Sequence, residues 1–88
     1  MGRIDKTLER ILSGRADYNI DFADLVALLT ARGFSLRHGK GSHIVATKAG
    51  IVERLTLQPD GSKAKAYQVR QVRNVLLKYA EPESDQSA

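Results

Sequence analysis

Residues 34–47 read FSLRHGKGSHIVAT, and this stretch decides the fold. Apolar and polar residues alternate in its first half, with Phe34 and Leu36 on the same side of a predicted strand. The glycine-rich segment 39–41 then allows the chain to reverse, and residues 42–47 favour a second strand. The stretch therefore predicts a β-hairpin.

A third strand is predicted after this hairpin. Ala49 and Gly50 mark a second reversal, and residues 51–58 again alternate between apolar and polar side chains. The sequence Pro-Asp-Gly at 59–61 ends the pattern, and residues 62–65 are expected to be a flexible, basic connection. Together these segments predict a three-stranded meander.

Helices are predicted on both sides of the meander. Apolar residues recur at helical spacing between residues 4 and 12, and Gly14 closes that pattern. A second helix is expected to begin after Asp21 and to end at Gly33. Apolar residues at three- and four-residue steps predict a final helix over 67–80.

This order of elements predicts an α+β fold in which the helices cover one face of an antiparallel sheet and the other face is open. From Asp21 onward the order α-β-β-β-α is the layout of the double-stranded RNA-binding domain, with an extra N-terminal helix before it. We expect residues 1–20 to form that helix and its connection, residues 21–81 to form the domain, and residues 82–88 to be a disordered tail.

The charge is unevenly distributed along the 88 residues. Of the formal net charge of +4, the segment 32–78 alone carries ten basic residues and two acids. A block of this kind attracts polyanions such as nucleic acid, although an ordinary solvated basic surface is the alternative. The chain has no cysteine, no apolar run of membrane-spanning length, and charges throughout its first ten residues. We therefore expect a cytoplasmic protein without thiolate chemistry, disulfides, a secretory signal or a membrane span.

His43 is the strongest candidate for a catalytic residue. Ile44 and Ala46 are expected to face the helices, and strand alternation then places His43 on the opposite, open face. An accessible imidazole is suited to proton transfer near neutral pH, and RNA supplies its own nucleophile in the 2′-hydroxyl. The alternative is that His43 is a structural residue of the turn or the core.

We predict that the RNA-binding residues are Arg37, Lys40, Ser42, Arg54, Lys63, Lys65, Arg70 and Arg73. The sequence does not select which cation stabilises the transition state. Arg70 and Arg73 lie opposite the apolar stripe of the last helix and are expected to face solvent, where an ordinary charged surface is the alternative to phosphate binding.

The other polar and aromatic residues are given structural roles. Asp21 and Asp24 are interpreted as helix-capping groups, and His38 is expected to point toward the core or to lie at the turn. Two histidines without carboxylates at ligand spacing predict no metal site, and no other cofactor is expected. The aromatic residues look too scattered to stack RNA bases; they are Tyr18, Phe22, Phe34, Tyr67 and Tyr79.

The chain resembles the HicA toxins of bacterial type II toxin–antitoxin pairs from about Asp21 to Ala80. The resemblance is carried by Arg-Gly-Phe at 32–34, by Gly-Ser-His at 41–43, and by the closing segment 57–73, which reads LQPDGSKAKAYQVRQVR. Residues 8–14 resemble the longer N-terminal region found in one branch of that family. Ile44 and Val45 stand where many members have a second histidine or an aromatic pair.

The resemblance implies a fold like that of the double-stranded RNA-binding domain and metal-independent cleavage of mRNA. It also implies growth arrest and neutralisation by a HicB-type antitoxin, and it maps the catalytic histidine onto His43. The free protein is expected to be monomeric. Two alternatives remain open from the residues: a non-catalytic RNA-binding module, and a basic face that serves chiefly to dock an acidic protein partner.

Overall fold

The computed structural model describes residues 2–79, which form three helices and two antiparallel sheets. The elements in chain order are α1 (Arg3–Ser13), α2 (Phe22–Ala31), β1 (Ser35–His38), β2 (Ile44–Thr47), β3 (Leu55–Leu57), β4 (Pro59–Asp60), β5 (Lys63–Ala64) and α3 (Ala66–Lys78). The α+β prediction and the three helices are confirmed. The tail predicted over 82–88 lies outside the described residues.

The end of α2 explains how the chain passes from helix to strand. The Gly33 N–H donates to the Thr30 carbonyl at 3.0 Å, and the Phe34 N–H donates to the Leu29 carbonyl at 3.0 Å. This pair of bonds satisfies carbonyls at the helix end and requires a left-handed residue, which Gly33 supplies with a φ of 93°. Phe34 is thereby directed into the core immediately before β1.

The three-stranded sheet has the order β1-β2-β3, with β2 in the centre. Ala46 of β2 lies opposite Leu36 of β1 and Leu55 of β3, and Ile44 lies opposite Leu57. Ala46, Leu55 and Leu57 are fully buried, so this face of the sheet packs against the helices. The predicted orientation of the middle strand is confirmed.

Most of the core comes from the apolar stripes that the helical spacing predicts. Its members are Ile11, Ile20, Leu25, Leu28, Leu29, Phe34, Ala46, Leu55, Leu57, Ala64, Val69, Val72, Val75 and Leu76. Helix α1 contributes only Ile11 to this set, and Ile4 and Leu12 at its two ends are partly exposed. The N-terminal helix is therefore less firmly held by apolar burial than α2 and α3.

The expectation of a flexible connection over 62–65 is wrong. Residues 59–64 form a short hairpin in which Pro59 pairs with Ala64, and Asp60 pairs with Lys63. The other side of β5 lies against residues 20–22, because the Ala64 N–H donates to the Ile20 carbonyl at 2.8 Å. The segment is ordered by pairing with a part of the chain some forty residues earlier, which local periodicity does not reveal.

The third strand is shorter than the alternation predicts, because residues before Leu55 bond to the end of α3 instead. The Glu53 carboxylate accepts hydrogen bonds from the Lys78 ammonium at 2.8 Å and the Tyr79 hydroxyl at 2.7 Å. The Val52 N–H donates to the same hydroxyl at 3.4 Å. These contacts fasten the segment between β2 and β3 to α3.

The two acids interpreted as caps do not use their carboxylates for capping. Asp21 does occupy the N-cap position of α2, but it makes no side-chain capping bond, and its carboxylate instead pairs with Lys63 at 2.8 Å. Asp24 pairs with Arg3 at 2.7 Å. Both acids therefore tie α2 to a neighbouring element by an ion pair, and the capping interpretation is wrong for their side chains.

Gln68 is a buried polar residue at the interface of α3 and β3. Its side-chain carbonyl accepts the Gln58 N–H at 3.0 Å, and its amide donates to the Thr56 carbonyl at 3.2 Å and to the Tyr67 hydroxyl at 3.3 Å. The side chain is 2% exposed, so water does not replace these partners. Gln68 therefore joins α3 to the end of β3 by specific bonds.

None of the helices within residues 2–79 is both long enough and apolar enough to cross a membrane.

We expect Gln68→Met to lower the free energy of unfolding by about 1–2 kcal/mol, because two backbone groups of the β3 segment lose their partners. Urea denaturation measures this change. Gln71→Met on the exposed side of the same helix is the matched control and should change stability by less than about 0.5 kcal/mol. Equal effects of the two substitutions would contradict a linking role for Gln68.

Glu53 predicts a specific loss of stability in acid. The hydrogen bonds from Lys78 and Tyr79 lower the pKa of Glu53 from 4.5 to about 2. Its contribution is thus fully present above pH 4.5 and is lost as the pH falls toward 2. In thermal unfolding across that range, Glu53→Gln should show a smaller acid-induced drop in Tm than the unchanged protein. Glu9→Gln, at an exposed position of α1, is the control and should show the same acid-induced drop in Tm as the unchanged protein.

Candidate nucleic-acid interface

The turn between β1 and β2 positions His43. The Gly39 N–H donates to the His43 carbonyl at 2.9 Å, and the His43 N–H donates to the Lys40 carbonyl at 3.2 Å. Gly41 has a φ of 63°, a left-handed conformation that costs a residue with a Cβ about 1–2 kcal/mol. The glycine at this position thus allows the tight turn, which brings the Lys40 carbonyl close to His43.

The imidazole of His43 is held by that same carbonyl. Its Nδ1 lies 3.0 Å from the Lys40 oxygen. A carbonyl only accepts hydrogen bonds, so Nδ1 carries the proton, and in the neutral ring Nε2 is left with a free lone pair. The side chain is half-buried. The contact orients the ring and makes Nε2 the basic atom.

The open face of the sheet carries two arginines, Arg37 toward the end where His43 lies and Arg54 farther along, opposite Thr47 by continuation of the β2–β3 register. Arg37 lies opposite Val45, and together with Thr47 and Arg54 these residues line a depression of about 260 Å³. Both arginines are exposed, and within residues 2–79 neither forms an ion pair. These two guanidinium groups are available to an anionic ligand.

His43 belongs to the same face by continuation of the strand. His43 directly precedes β2, and continuing the alternation of that strand assigns it to the open face with Val45. Arg37 is then its diagonal neighbour across the β1–β2 ladder, a relation that separates residues by about 7–8 Å and that long side chains can bridge. Lys40 and Ser42 are exposed in the adjoining turn.

A second cationic group lies around the start of α3, apart from the open face. Lys63, Lys65 and Arg70 line one depression there. Lys63 is already bonded to Asp21 and to the Asn19 side chain. The predicted RNA-binding residues therefore fall into two groups, one on the sheet and one beside α3.

The prediction that Arg73 faces solvent is wrong. Its guanidinium pairs with Asp17 at 2.8 Å and also donates to the Ile11 carbonyl at 3.1 Å, and its side chain is only 18% exposed. Asp17 is itself buried. Arg73 thereby fastens α3 to the end of α1, whereas Arg70 is about half exposed and lies 3.9 Å from Asp17.

His38 is the last residue of β1 and lies beside the turn, on the helix side of the sheet, where it is exposed. It is the partner of Ile44 in the ladder and so points away from the face that carries Arg37. Among residues 2–79, no three histidine, aspartate or glutamate side chains come together in a way that could hold a metal ion.

Sequence reasoning missed one pair of aromatic side chains. Tyr18 and Tyr67 line the same depression beside α3, although they are far apart in the sequence. Their separation along the sequence therefore gave no sign that they share one depression. The signal that brings them together is the pairing of residues 20–22 with β5, which depends on long-range contacts.

Comparison of the chain with protein-family models, with curated proteins and with solved structures finds no match.

We expect neutral His43 to be protonated at Nδ1, because the Lys40 carbonyl requires a donor there. Long-range ¹H–¹⁵N NMR spectra of the imidazole nitrogens at alkaline pH measure this directly. The exposed His38 provides an internal reference in the same spectrum. A His43 ring protonated at Nε2 would show that the turn does not hold the imidazole in the orientation described.

Proposed function

We propose that this chain is a toxin of the HicA type, a metal-independent endoribonuclease that cleaves mRNA with His43 as its catalytic base. One observation carries the proposal. The imidazole of His43 is oriented by the Lys40 carbonyl on the sheet face where Arg37 and Arg54 are exposed. A general base and exposed cations on one face are groups that accelerate cleavage of an RNA backbone.

The order of elements supports this assignment. The succession α2, β1, β2, β3, α3 is that of the double-stranded RNA-binding domain, to which α1 and the β4–β5 hairpin are additions. One face of the sheet is covered by helices and the other is free to meet a ligand. Domains of this layout recognise the shape and phosphates of RNA more than its sequence.

The proposed reaction begins with proton transfer from a 2′-hydroxyl to Nε2 of His43. The 2′-oxygen attacks the neighbouring phosphorus, which closes a 2′,3′-cyclic phosphate and breaks the bond to the 5′-oxygen. That oxygen leaves after taking a proton from water. Arg37, the diagonal neighbour of His43, stabilises the additional negative charge on the phosphate oxygens in the transition state, and Arg54, farther along the same face, binds the adjoining RNA backbone.

The same surface suits the partner that the HicA assignment requires. An antitoxin of the HicB type that presents acidic side chains would pair with the exposed arginines and cover His43. In this proposal the toxin acts in the cytoplasm, is monomeric when free and needs no cofactor. Non-catalytic RNA binding is the second candidate function, favoured by the exposure of both arginines whether or not His43 reacts.

The test compares purified wild-type protein with His43→Ala on a labelled mRNA fragment. We expect the substitution to slow cleavage by about 10²- to 10⁴-fold, the usual contribution of a general base, while RNA binding is retained. Induction in bacteria should arrest growth for the wild type and not for the variant. Cleavage should persist in a chelator.

His38→Ala is the matched control, since this exposed histidine lies on the other side of the sheet and should be replaceable without loss of cleavage. If His43→Ala and the wild type degrade RNA equally, His43 is not the base. If the wild type binds RNA and yields no new ends, the protein is the non-catalytic module instead.

A further inference from the structure

A second depression, of about 560 Å³, lies beside the start of α3. It is lined by Tyr18, Asp60, Lys63, Ala64, Lys65, Ala66, Tyr67 and Arg70. Tyr18 is 81% exposed and Tyr67 is 56% exposed, so both rings present most of their surface to solvent. Two exposed aromatic rings among cations form a surface that the cleavage proposal does not use.

The backbone around Tyr18 is anchored on both sides. Asp17 is buried and clamped by Arg73, and Ile20 is buried and accepts the Ala64 N–H. Between them, the Asn19 carbonyl accepts a hydrogen bond from Arg10 at 2.7 Å. The exposed ring thus projects from a fixed segment, and a ligand would not have to order the backbone in order to contact it.

Tyr67 is oriented by its neighbour. Its hydroxyl accepts a hydrogen bond from the buried amide of Gln68 at 3.3 Å, and the other bonds of that amide group lead to Gln58 and Thr56 beside β3. The polar end of Tyr67 is therefore held by the protein. The ring itself remains available for stacking.

The charge of the depression is positive. Lys65 forms no ion pair within residues 2–79, and Arg70 has only the 3.9 Å contact to Asp17. Lys63 is neutralised by Asp21, whose pKa is lowered by that contact. Asp60 opposes one of the remaining charges, which leaves a net cation beside the two rings.

We propose that this depression binds one nucleotide of single-stranded RNA, with the base stacked on Tyr18 or Tyr67 and its phosphate bound by Lys65 and Arg70. This inference rests on the proposed function, which supplies the premise that the ligand is RNA. Aromatic rings beside cations are the usual means of holding unpaired bases, and every base has a face that stacks. A base within a duplex is not available in this way.

The depression lies at the same end of the sheet as His43. Ile44, next to His43, pairs with Leu57, and Asp60 at the edge of the depression is three residues beyond Leu57. Three residues span at most about 11 Å. A single strand bound beside α3 can therefore continue toward His43 within a few nucleotides, so the depression would hold a nucleotide that flanks the cleaved bond.

The test uses the full chain carrying His43→Ala, so that RNA is bound without being cleaved. The probe is a short, fluorescently labelled single-stranded RNA of mixed sequence. At least one of Tyr18→Ala and Tyr67→Ala should weaken its binding by about tenfold, in the range known for loss of base–aromatic stacking. Tyr18→Phe keeps the ring at a position where no bond to the hydroxyl is used and should bind within about twofold of the parent. Tyr67→Phe keeps the ring but loses the bond from Gln68, so it should bind more tightly than Tyr67→Ala.

Two further readouts separate this subsite from other causes. The chain has no tryptophan and three tyrosines, so its intrinsic fluorescence reports tyrosine alone and should fall when RNA binds. The alanine substitutions should leave binding of the same sequence as a duplex unchanged. Tyr79, bonded to Glu53, remains as a reference emitter in the variants.

Several outcomes would overturn the subsite. The first is that both alanine variants bind single-stranded RNA as tightly as their parent, and the second is that they lose as much affinity for the duplex as for the single strand. The subsite is also rejected if free AMP binds as tightly as the oligonucleotide, or if polyglutamate at equal charge concentration displaces the RNA. Cleavage by the protein with native His43 is measured in parallel. If the wild type cleaves RNA and the tyrosine variants bind single-stranded RNA as tightly as their parent, the subsite alone is rejected. If the tyrosine variants lose affinity but the wild type does not cleave RNA, the endoribonuclease proposal alone is rejected.

Discussion

Ala46 is fully buried at the centre of the sheet, between Leu36 on one neighbouring strand and Leu55 on the other. Because strand side chains alternate, this register sends Arg37 and Arg54 to the opposite face. A shift of one residue would turn the arginines toward the helices, where burial of an unpaired charge costs several kcal/mol. The packing of the core thus determines which cations are exposed on the face opposite the helices.

Helix α3 organises the remainder of the molecule through polar contacts. Arg73 holds the end of α1 through the Ile11 carbonyl and the segment after it through Asp17. Gln68 holds the end of β3, and Lys78 holds Glu53. These contacts separate the basic residues that are paired within the fold, such as Arg73 and Lys78, from those that are exposed without an ion pair within residues 2–79, such as Arg37 and Arg54. Some of the positive charge of the chain is neutralised within the fold, so net charge alone overstates the number of phosphates that the protein can bind.

Local patterns in the sequence were sufficient for the helices, the first hairpin and the open face. Helical spacing and the glycines that end α1 and α2 are local signals, and the alternation from Ile44 to Thr47 gave the correct orientation of β2. The errors have a common cause. Residues 62–65, the short third strand and the side chain of Arg73 are all determined by partners distant in the chain, and periodicity contains no information about partners.

The β4–β5 hairpin is the element that local patterns missed, and it connects the two surfaces. On one side it continues from β3, which pairs with the strand that follows His43, and on the other it pairs with the segment that carries Tyr18. A flexible connection would have left Lys63 and Lys65 to be ordered by the ligand, at a cost in conformational entropy for each residue fixed. Because the hairpin fixes the backbone in advance, a strand bound as proposed would not have to order this segment.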